Sequence, residues 1–314
     1  MRFRALGAGT RPANAAPVTA PRRIVQGTSY LLSRRTARRE FLLKPSALTN
    51  LIFKFVLAVA ARRHHVLVHA VCVMSNHYHL VVTDPRANLP IFGQLLDGVL
   101  AKAFNALYGR WENFWAPSSY SAVELVTPED IVEKVAYSLA NPASADLVEH
   151  GRQWPGVWSD PSSIGGPGEH VERPGHYFAK DGSMPPSEEL VFSAPPGFES
   201  VEAFRAMVNA RVNEFEKEAA ARREASSVRV AGARRVMKQR HTDRPAHGEP
   251  RRALDPRIAA RDPRKRIEAL ARMVSFLDRH RDALVQFCSG ERDVVFPLGT
   301  YLMRVRFGVS CASS

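Results

Sequence analysis

Cysteine is scarce in this chain, and so is negative charge. Cys72, Cys288 and Cys311 are the only cysteines in 314 residues, and no Cys-x-x-Cys occurs. That is too few for a disulfide framework and lacks the spacing of a zinc or dithiol site, which suits a reducing cytosol. Long apolar runs are missing too. None approaches the ~18 residues of a membrane span, so no membrane partner is expected. The opening MRFRALGAGTRPANAAPVTAPRR has no unbroken apolar core for a secretory signal and reads as a disordered basic leader over 1–26. Asp and Glu number 31 against 44 Lys and Arg, a formal net charge of +13. Such a surplus implies a polyanion, nucleic acid before anionic lipid, or else a merely solvated surface. His-Glu-x-x-His, Cys-rich zinc patterns and the deaminase signature are all absent.

What is present is an ordered alternation of strand and helix patterns. GTSYLLSRR reads as a first strand, and Ser46 to Arg63 as a Ser-capped helix with apolar residues at helical spacing. HVLVHAVCV (65–73) and HYHLVVTD (77–84) are β-branched runs across a short Met-Ser-Asn link, an antiparallel hairpin. LPIFGQLLDGVLAKAFNALYGR predicts a second long helix, and SYSAVELV another strand. TPEDIVEKVAYSLANP follows as a helix with Thr127 as N-cap, Pro128 at its first position and Pro142 as its stop. This order predicts an α+β fold, a ferredoxin-like antiparallel sheet with helices on one face. A Pro/Gly-rich linker is expected over 161–195, and a mainly helical, basic C-terminal extension over 196–314.

The chemistry concentrates at two places. His77 and His79 lie one residue apart in a strand, so they share a face while Tyr78 points the other way. Two neutral imidazoles so placed can ligate one divalent ion, or each can satisfy a partner at the sheet surface. On the capped helix, Tyr137 and Asn141 are four apart and share a side. A Tyr hydroxyl is a competent nucleophile beside a polarised electrophile, and an Asn offers an oxygen ligand. Taken alone, Tyr137 reads equally as a core aromatic.

HAVCVMSNHYHLVVTDP resembles the His-hydrophobic-His strand of the HUH single-tyrosine transposases, most closely the REP-associated tyrosine transposases. VAYSLANPASADLVEHGRQWPGVWSD resembles their later block, with Tyr137, Asn141, Pro142, Ala145, Leu147, Val148, Trp158 and Ser159 in register. GTSYLLSRRTARREFLL matches the first strand and its Arg-containing turn, so Arg34 and Arg35 become candidate DNA contacts. The resemblance covers residues 27–160. It implies that His77 and His79, with Asn141 as third ligand, hold Mg²⁺ or Mn²⁺, and that Tyr137 attacks single-stranded or hairpin DNA to form a 5′-phosphotyrosine. Where the family commonly writes Asn-Pro-Val-Arg-Ala-Gly, this chain has Asn-Pro-Ala-Ser-Ala-Asp, with Ser144 for the Arg and Asp146 for the Gly. An acidic residue there is expected to weaken a nearby phosphate contact.

The expected activity is therefore that of a metal-dependent transposase, a single-strand DNA nickase and ligase working in the cytoplasm at the nucleoid. Two other classes stay open: a catalytically silent DNA-binding relative, and an RNA-binding protein. Trp111, Phe114 and Trp115 can stack on unpaired bases or pack the core. Arg234, Arg235, Lys238 and Arg240 in the basic stretches VRVAGARRVMKQRHTDRP and EPRRALDPRIAARDPRKR suggest a second DNA-contacting surface or a solvated segment. Monomer or homodimer, and a tyrosine acting in cis or in trans, are both compatible with the sequence.

Overall fold

A computed structural model describes residues 20–117, 120–175, 177–179, 181–246 and 257–313. Most of the expected leader, and residues 249–256 of the second basic stretch, lie outside the described residues. In chain order the elements are β1 (Thr28–Arg35), α1 (Ala47–His64), β2 (Leu67–Met74), β3 (His77–Asp84), α2 (Leu89–Tyr108), β4 (Ser121–Leu125) and α3 (Pro128–Ser144). There follow β5 (Glu169–Glu172), β6 (Ser187–Leu190), α4 (Val201–Ser226), α5 (Ala233–Lys238), β7 (Ile258–Ala259), α6 (Pro263–Cys288) and α7 (Leu302–Phe307). The chain forms two compact units, Ile24–Arg272 and a second one whose described residues are 20–23 and 273–313. In the second, Ala283, Val294, Phe296, Met303 and Val309 make a small core.

Ile24–Arg272 is built on a five-stranded sheet of order β2-β3-β1-β4-β7. The first four strands pair antiparallel, and β7 joins β4 in parallel. This is the α+β, ferredoxin-like arrangement. A two-residue turn, Ser75–Asn76, closes the β2–β3 hairpin and pairs Met74 with His77. The crossover helices α1 and α2 share one face: Phe53 of α1 meets the Tyr78 ring at 5.5 Å, and the buried Tyr78 hydroxyl donates to Asp97 of α2 at 2.8 Å. The opposite face is not left to solvent. There α3 packs on β2 and β3. Both faces of β3 are therefore covered, which is why its side chains read as an apolar run with only two imidazoles in it.

The helix starts follow their signals. Ser46 Oγ accepts from Thr49 N at 3.0 Å. Thr127 and Asp130 form a reciprocal capping box at α3. Asp84, fully buried, accepts from the N–H groups of Asn88 and Leu89 at 2.9 and 2.6 Å and so opens α2. The stop expected at Pro142 is displaced: Pro142 lies inside α3, which runs on to Ser144. Ala145 N still closes on Asn141 O at 2.9 Å. Trp158 Nε1 donates to Leu139 O at 2.9 Å and ties the loop after α3 back to the helix. A Cβ on Gly151 would lie 3.0 Å from that indole nitrogen and closer still to Leu139 O, so glycine is needed for the approach.

The segment 161–195 carries the hairpin β5–β6, which packs on α1 with Lys54 Nζ at 2.7 Å from Glu169. The free edge of β2 is covered by backbone: Ser159 N and Ser193 N donate to Val71 O and Val68 O at 3.0 and 2.9 Å. Among the described residues, no helix is long and apolar enough to cross a membrane.

One buried imidazole in this layer sets a pH limit. His69 Nδ1 donates to Ser193 O at 2.7 Å, and its Nε2 takes the Thr83 hydroxyl at 2.7 Å, which is itself 2.6 Å from Ser29 Oγ. Burial pushes His69 down to about 4. The unfolded chain protonates first as pH falls, so this group's stabilisation is complete above the ordinary pKa of about 6.5 and is lost between there and about 4. Its loss is expected to remove roughly 2–3 kcal/mol. Urea unfolding midpoints at pH 7.5 and 4.5 should fall further apart in the wild type than in His69→Gln; equal drops would refute the assignment.

Candidate active site

β3 positions the two histidines. Their ring centroids lie 4.9 Å apart, with planes at 81°. His79 Nδ1 is 2.7 Å from Ser33 Oγ, and Ser33 is its cross-strand partner on β1. His77 Nδ1 is 2.7 Å from Asn76 Oδ1. A carbonyl oxygen only accepts, so Nδ1 carries the proton and Nε2 keeps the lone pair. Burial, and next the charge of Arg35, push His77 down to about 4, so its ring is neutral at pH 7. Asn76 and Ser33 orient the imidazoles. Sequence reasoning did not single them out, although Asn76 sits inside the Met-x-Asn-His-x-His motif.

α3 brings the third group. Its Ile131, Val135, Leu139 and Ala143 are buried, whereas Tyr137 is 40% exposed and reaches the histidines from above. Its ring centroid is 5.5 Å from that of His79, at 72°. Lys134, one turn earlier, places Nζ 5.5 Å from the tyrosine ring centroid. Asn141 is half-buried one turn further along the same side of the helix. Among the described residues no group of three or more His, Cys, Asp or Glu side chains converges as a metal site. Two imidazoles on one strand face, below a helix side that carries an amide, nevertheless suit one divalent ion that completes its shell with water or phosphate oxygens.

The candidate DNA contacts separate. Arg35 is exposed and directly across from His77. Arg34 is paired with Tyr78, so it faces the other way, 3.8 Å from Asp97 and with Cζ 5.8 Å from the Trp115 ring centroid. It therefore lies away from the histidines, because a strand alternates its faces. Phe114 and Trp115 are buried at 2% and 7%, while Trp111 is 95% exposed. Arg234, Arg235, Lys238 and Arg240 are exposed on and just after α5, whose Val236 is buried against Cys72, Met74, Val148 and Trp154. Past α5, Gln239 approaches Ser75 of the histidine hairpin at 3.4 Å. Phe41 N donates to Asp243 O at 2.9 Å, and His241 stacks on Tyr108 at 4.3 Å. The basic segment is thus laid across the hairpin end that holds His77.

α4 is the other unexpected part of the site, because it packs along α3. Arg211 binds the Glu133 carboxylate at 2.8 and 3.3 Å, and its Cζ sits 4.2 Å from the Phe215 ring centroid. Phe215 in turn meets the Tyr137 ring at 6.5 Å. Burial opposes ionisation of Glu133, but Arg211 and Arg261 outweigh it and hold its carboxyl below the usual range. At the far end, Arg222 and Arg223 donate to Ser144 O and Ala143 O, and both approach Asp146 Oδ1, at 3.0 and 3.5 Å. Asp146, at φ 55, thereby anchors the extension. Its departure from the family pattern has a partner within this chain.

No family model matches the chain, and no curated protein does. Among solved structures it is similar to a REP-associated tyrosine transposase bound to a REP hairpin, at a TM-score of 0.37 and 18% identity, over 44% of this chain and 80% of that one. It is also similar to a candidate transposase from Deinococcus radiodurans R1, at a TM-score of 0.26 and 20% identity, over 36% of this chain and 85% of that one.

The seat of α4 can be tested at Glu216. Its carboxylate accepts from Gly151 N and from His150 Nδ1, both at 2.7 Å, beside the loop that follows α3. Glu216→Ala leaves the Gly151 N–H buried without a partner, and the expected loss is about 1–3 kcal/mol in chemical denaturation. Glu216→Gln, which keeps an acceptor oxygen, should recover about half of it. An unchanged unfolding midpoint in Glu216→Ala would mean that α4 is not held there.

Proposed function

We propose that this protein cleaves and rejoins single-stranded DNA, with Tyr137 as the nucleophile, in the manner of a single-tyrosine transposase. The observation that carries the reading is the cluster itself: an exposed tyrosine from α3 stands 5.5 Å from a histidine that is 4.9 Å from a second one. The sequence motif around these residues supports it independently.

In the reaction, Tyr137 Oη forms a bond to the scissile phosphorus as the P–O3′ bond breaks. The phenol loses its proton and the departing oxygen becomes a 3′-hydroxyl, leaving a 5′-phosphotyrosine. Attack by a second 3′-hydroxyl reverses the step and joins a new strand, so neither ATP nor water is consumed. His77 through Nε2, His79, and Asn141 as an oxygen donor would hold a Mn²⁺ or Mg²⁺ ion, which when bound polarises the scissile phosphate as a Lewis acid. Asn76 fixes the ring orientation and tautomer of His77, and Ser33 orients His79. Arg35 beside His77, and Arg234, Arg235, Lys238 and Arg240 along the same hairpin end, hold backbone phosphates with no sequence preference of their own. An unpaired strand bends most readily into the in-line geometry, which favours single-stranded or hairpin DNA over plain duplex.

Tyr137→Phe removes only the attacking oxygen and keeps the ring against His79 and Phe215. Cleavage of a hairpin DNA with single-stranded flanks, read on a denaturing gel, should vanish while binding in a mobility shift stays within about twofold. Cleavage by the Phe variant above a trace would end the tyrosine mechanism.

Removal of the ion tests the second half of the reading. EDTA should stop wild-type cleavage, and His77→Ala should lose Mn²⁺ binding in calorimetry. Asn76→Ala should weaken Mn²⁺ about 10-fold or more, because the ring it orients is freed. Cleavage indifferent to EDTA, or unchanged Mn²⁺ affinity in His77→Ala, would remove the ion from the site.

A further inference from the structure

Where β1 ends beside His77, the chain makes a second feature on the other side of the sheet. Thr36 N donates to Asn76 O at 2.9 Å, and Thr36 bridges to Trp115. Arg35 O accepts from Ala116 N at 2.9 Å, and Ala37 N donates to Phe114 O at 2.8 Å. The loop between α2 and β4 is thus stitched to the strand end that neighbours the histidine hairpin. It is braced from behind as well: Trp115 Nε1 donates to Asp97 O at 2.8 Å, and Asn105 Nδ2 to Glu112 O at 3.0 Å.

This braced loop walls a cavity of about 450 Å³, whose lining includes Arg34, Asn105, Trp111, Glu112, Asn113 and Pro117. That volume is in the range of small-molecule clefts. Trp111 is 95% exposed, although a tryptophan left in water forgoes most of the stabilisation its ring would give in a core. Phe114 and Trp115, three and four residues on, are buried and hold the loop down. The indole is therefore presented from a fixed base. Glu112 brings a carboxylate to the lining, and the Arg34 cation is already held 3.8 Å from Asp97, so no surplus positive charge favours a phosphate as the occupant. The Trp face and the amides of Asn105 and Asn113 suit a flat, uncharged ring with polar edges.

We propose that this cavity takes an unpaired nucleobase of the DNA strand flanking the scissile phosphate, stacked on Trp111. The inference rests on the DNA-cleaving reading above and adds a base subsite to it. Arg35 lies across from His77, while Arg35 O and Ala37 N bond Ala116 and Phe114 of the cavity wall, so both sites border the end of β1 and one strand can round it from the histidine face towards Trp111. The subsite would distinguish DNA with an unpaired flank from DNA without one.

The test uses the full chain and two labelled DNAs, a hairpin with an unpaired flank and the same hairpin cut flush. Wild type should bind the flanked DNA more tightly. Trp111→Ala should weaken the flanked complex about 5- to 100-fold and leave the flush complex within about twofold. Trp111→Phe, which keeps a stacking face, should retain most of the affinity. Acrylamide quenching of wild-type tryptophan fluorescence should fall when the flanked DNA is added and stay unchanged with the flush one. Because Trp111 is so exposed, its replacement should not move the thermal midpoint. Equal losses on both DNAs, or none on either, would overturn the subsite while leaving the tyrosine site standing. A wild type that bound neither DNA would overturn the DNA reading itself, and the subsite with it.

Discussion

The two-residue period of β3 governs the rest of Ile24–Arg272. Tyr78 must turn its hydroxyl into Asp97 under α1 and α2, and that buried bond fixes the strand's register. Its neighbours His77 and His79 are then forced to the opposite face, where α3 covers them. A slip of one residue would bury two imidazoles among Phe53 and Trp115 and leave Asp97 without the hydroxyl. The histidine pair is thus held by a hydrogen bond on the far side of the sheet. Asn76 and Ser33 then set the ring orientations from the strand ends and from β1.

The helix that bears Tyr137 needs a different kind of support. α3 contributes an exposed tyrosine, so the side that bears it cannot be fully packed on the sheet. α4 supplies what is missing from outside, through Glu133–Arg211, Phe215 and the two arginines at the α3 C-terminus. These contacts also explain the use of scarce negative charge. Glu133, Asp146, Glu216 and Glu40 each hold a basic or N–H group of the extension or of its docking site. Arg234, Arg235, Lys238 and Arg240 remain exposed beside the hairpin, where a polyanion would meet them.

Much of this layer was legible in advance. The Thr127 and Ser46 caps, the alternation in residues 77–84 and the spacing of Tyr137 and Asn141 are local patterns, and local patterns survive in a single sequence. The extra residues of α3 past Pro142 were not legible, because contacts that hold its last turn arrive from Trp158 and Arg223, later in the chain. The hairpin β5–β6 was hidden for another reason: four-residue strands such as Glu169–Glu172 are too short and too polar to show a period. β7, two residues long, is defined only by the strand it joins.

The sequence by itself determined the strand and helix order from β1 to α3, the histidine pair on one strand face, the tyrosine and asparagine on one helix side, and the excess of positive charge. Each follows from backbone periodicity or composition, which need no knowledge of distant neighbours. Tertiary structure alone decided that Tyr137 meets His79, that Arg34 belongs to the far face while Arg35 stays near His77, and that the extension clasps the tyrosine helix. It alone separated Trp111 from Phe114 and Trp115, which the sequence offers as equals. The physical reason is the same in each case: burial and pairing depend on residues far apart in the chain, and only the folded packing brings those residues together.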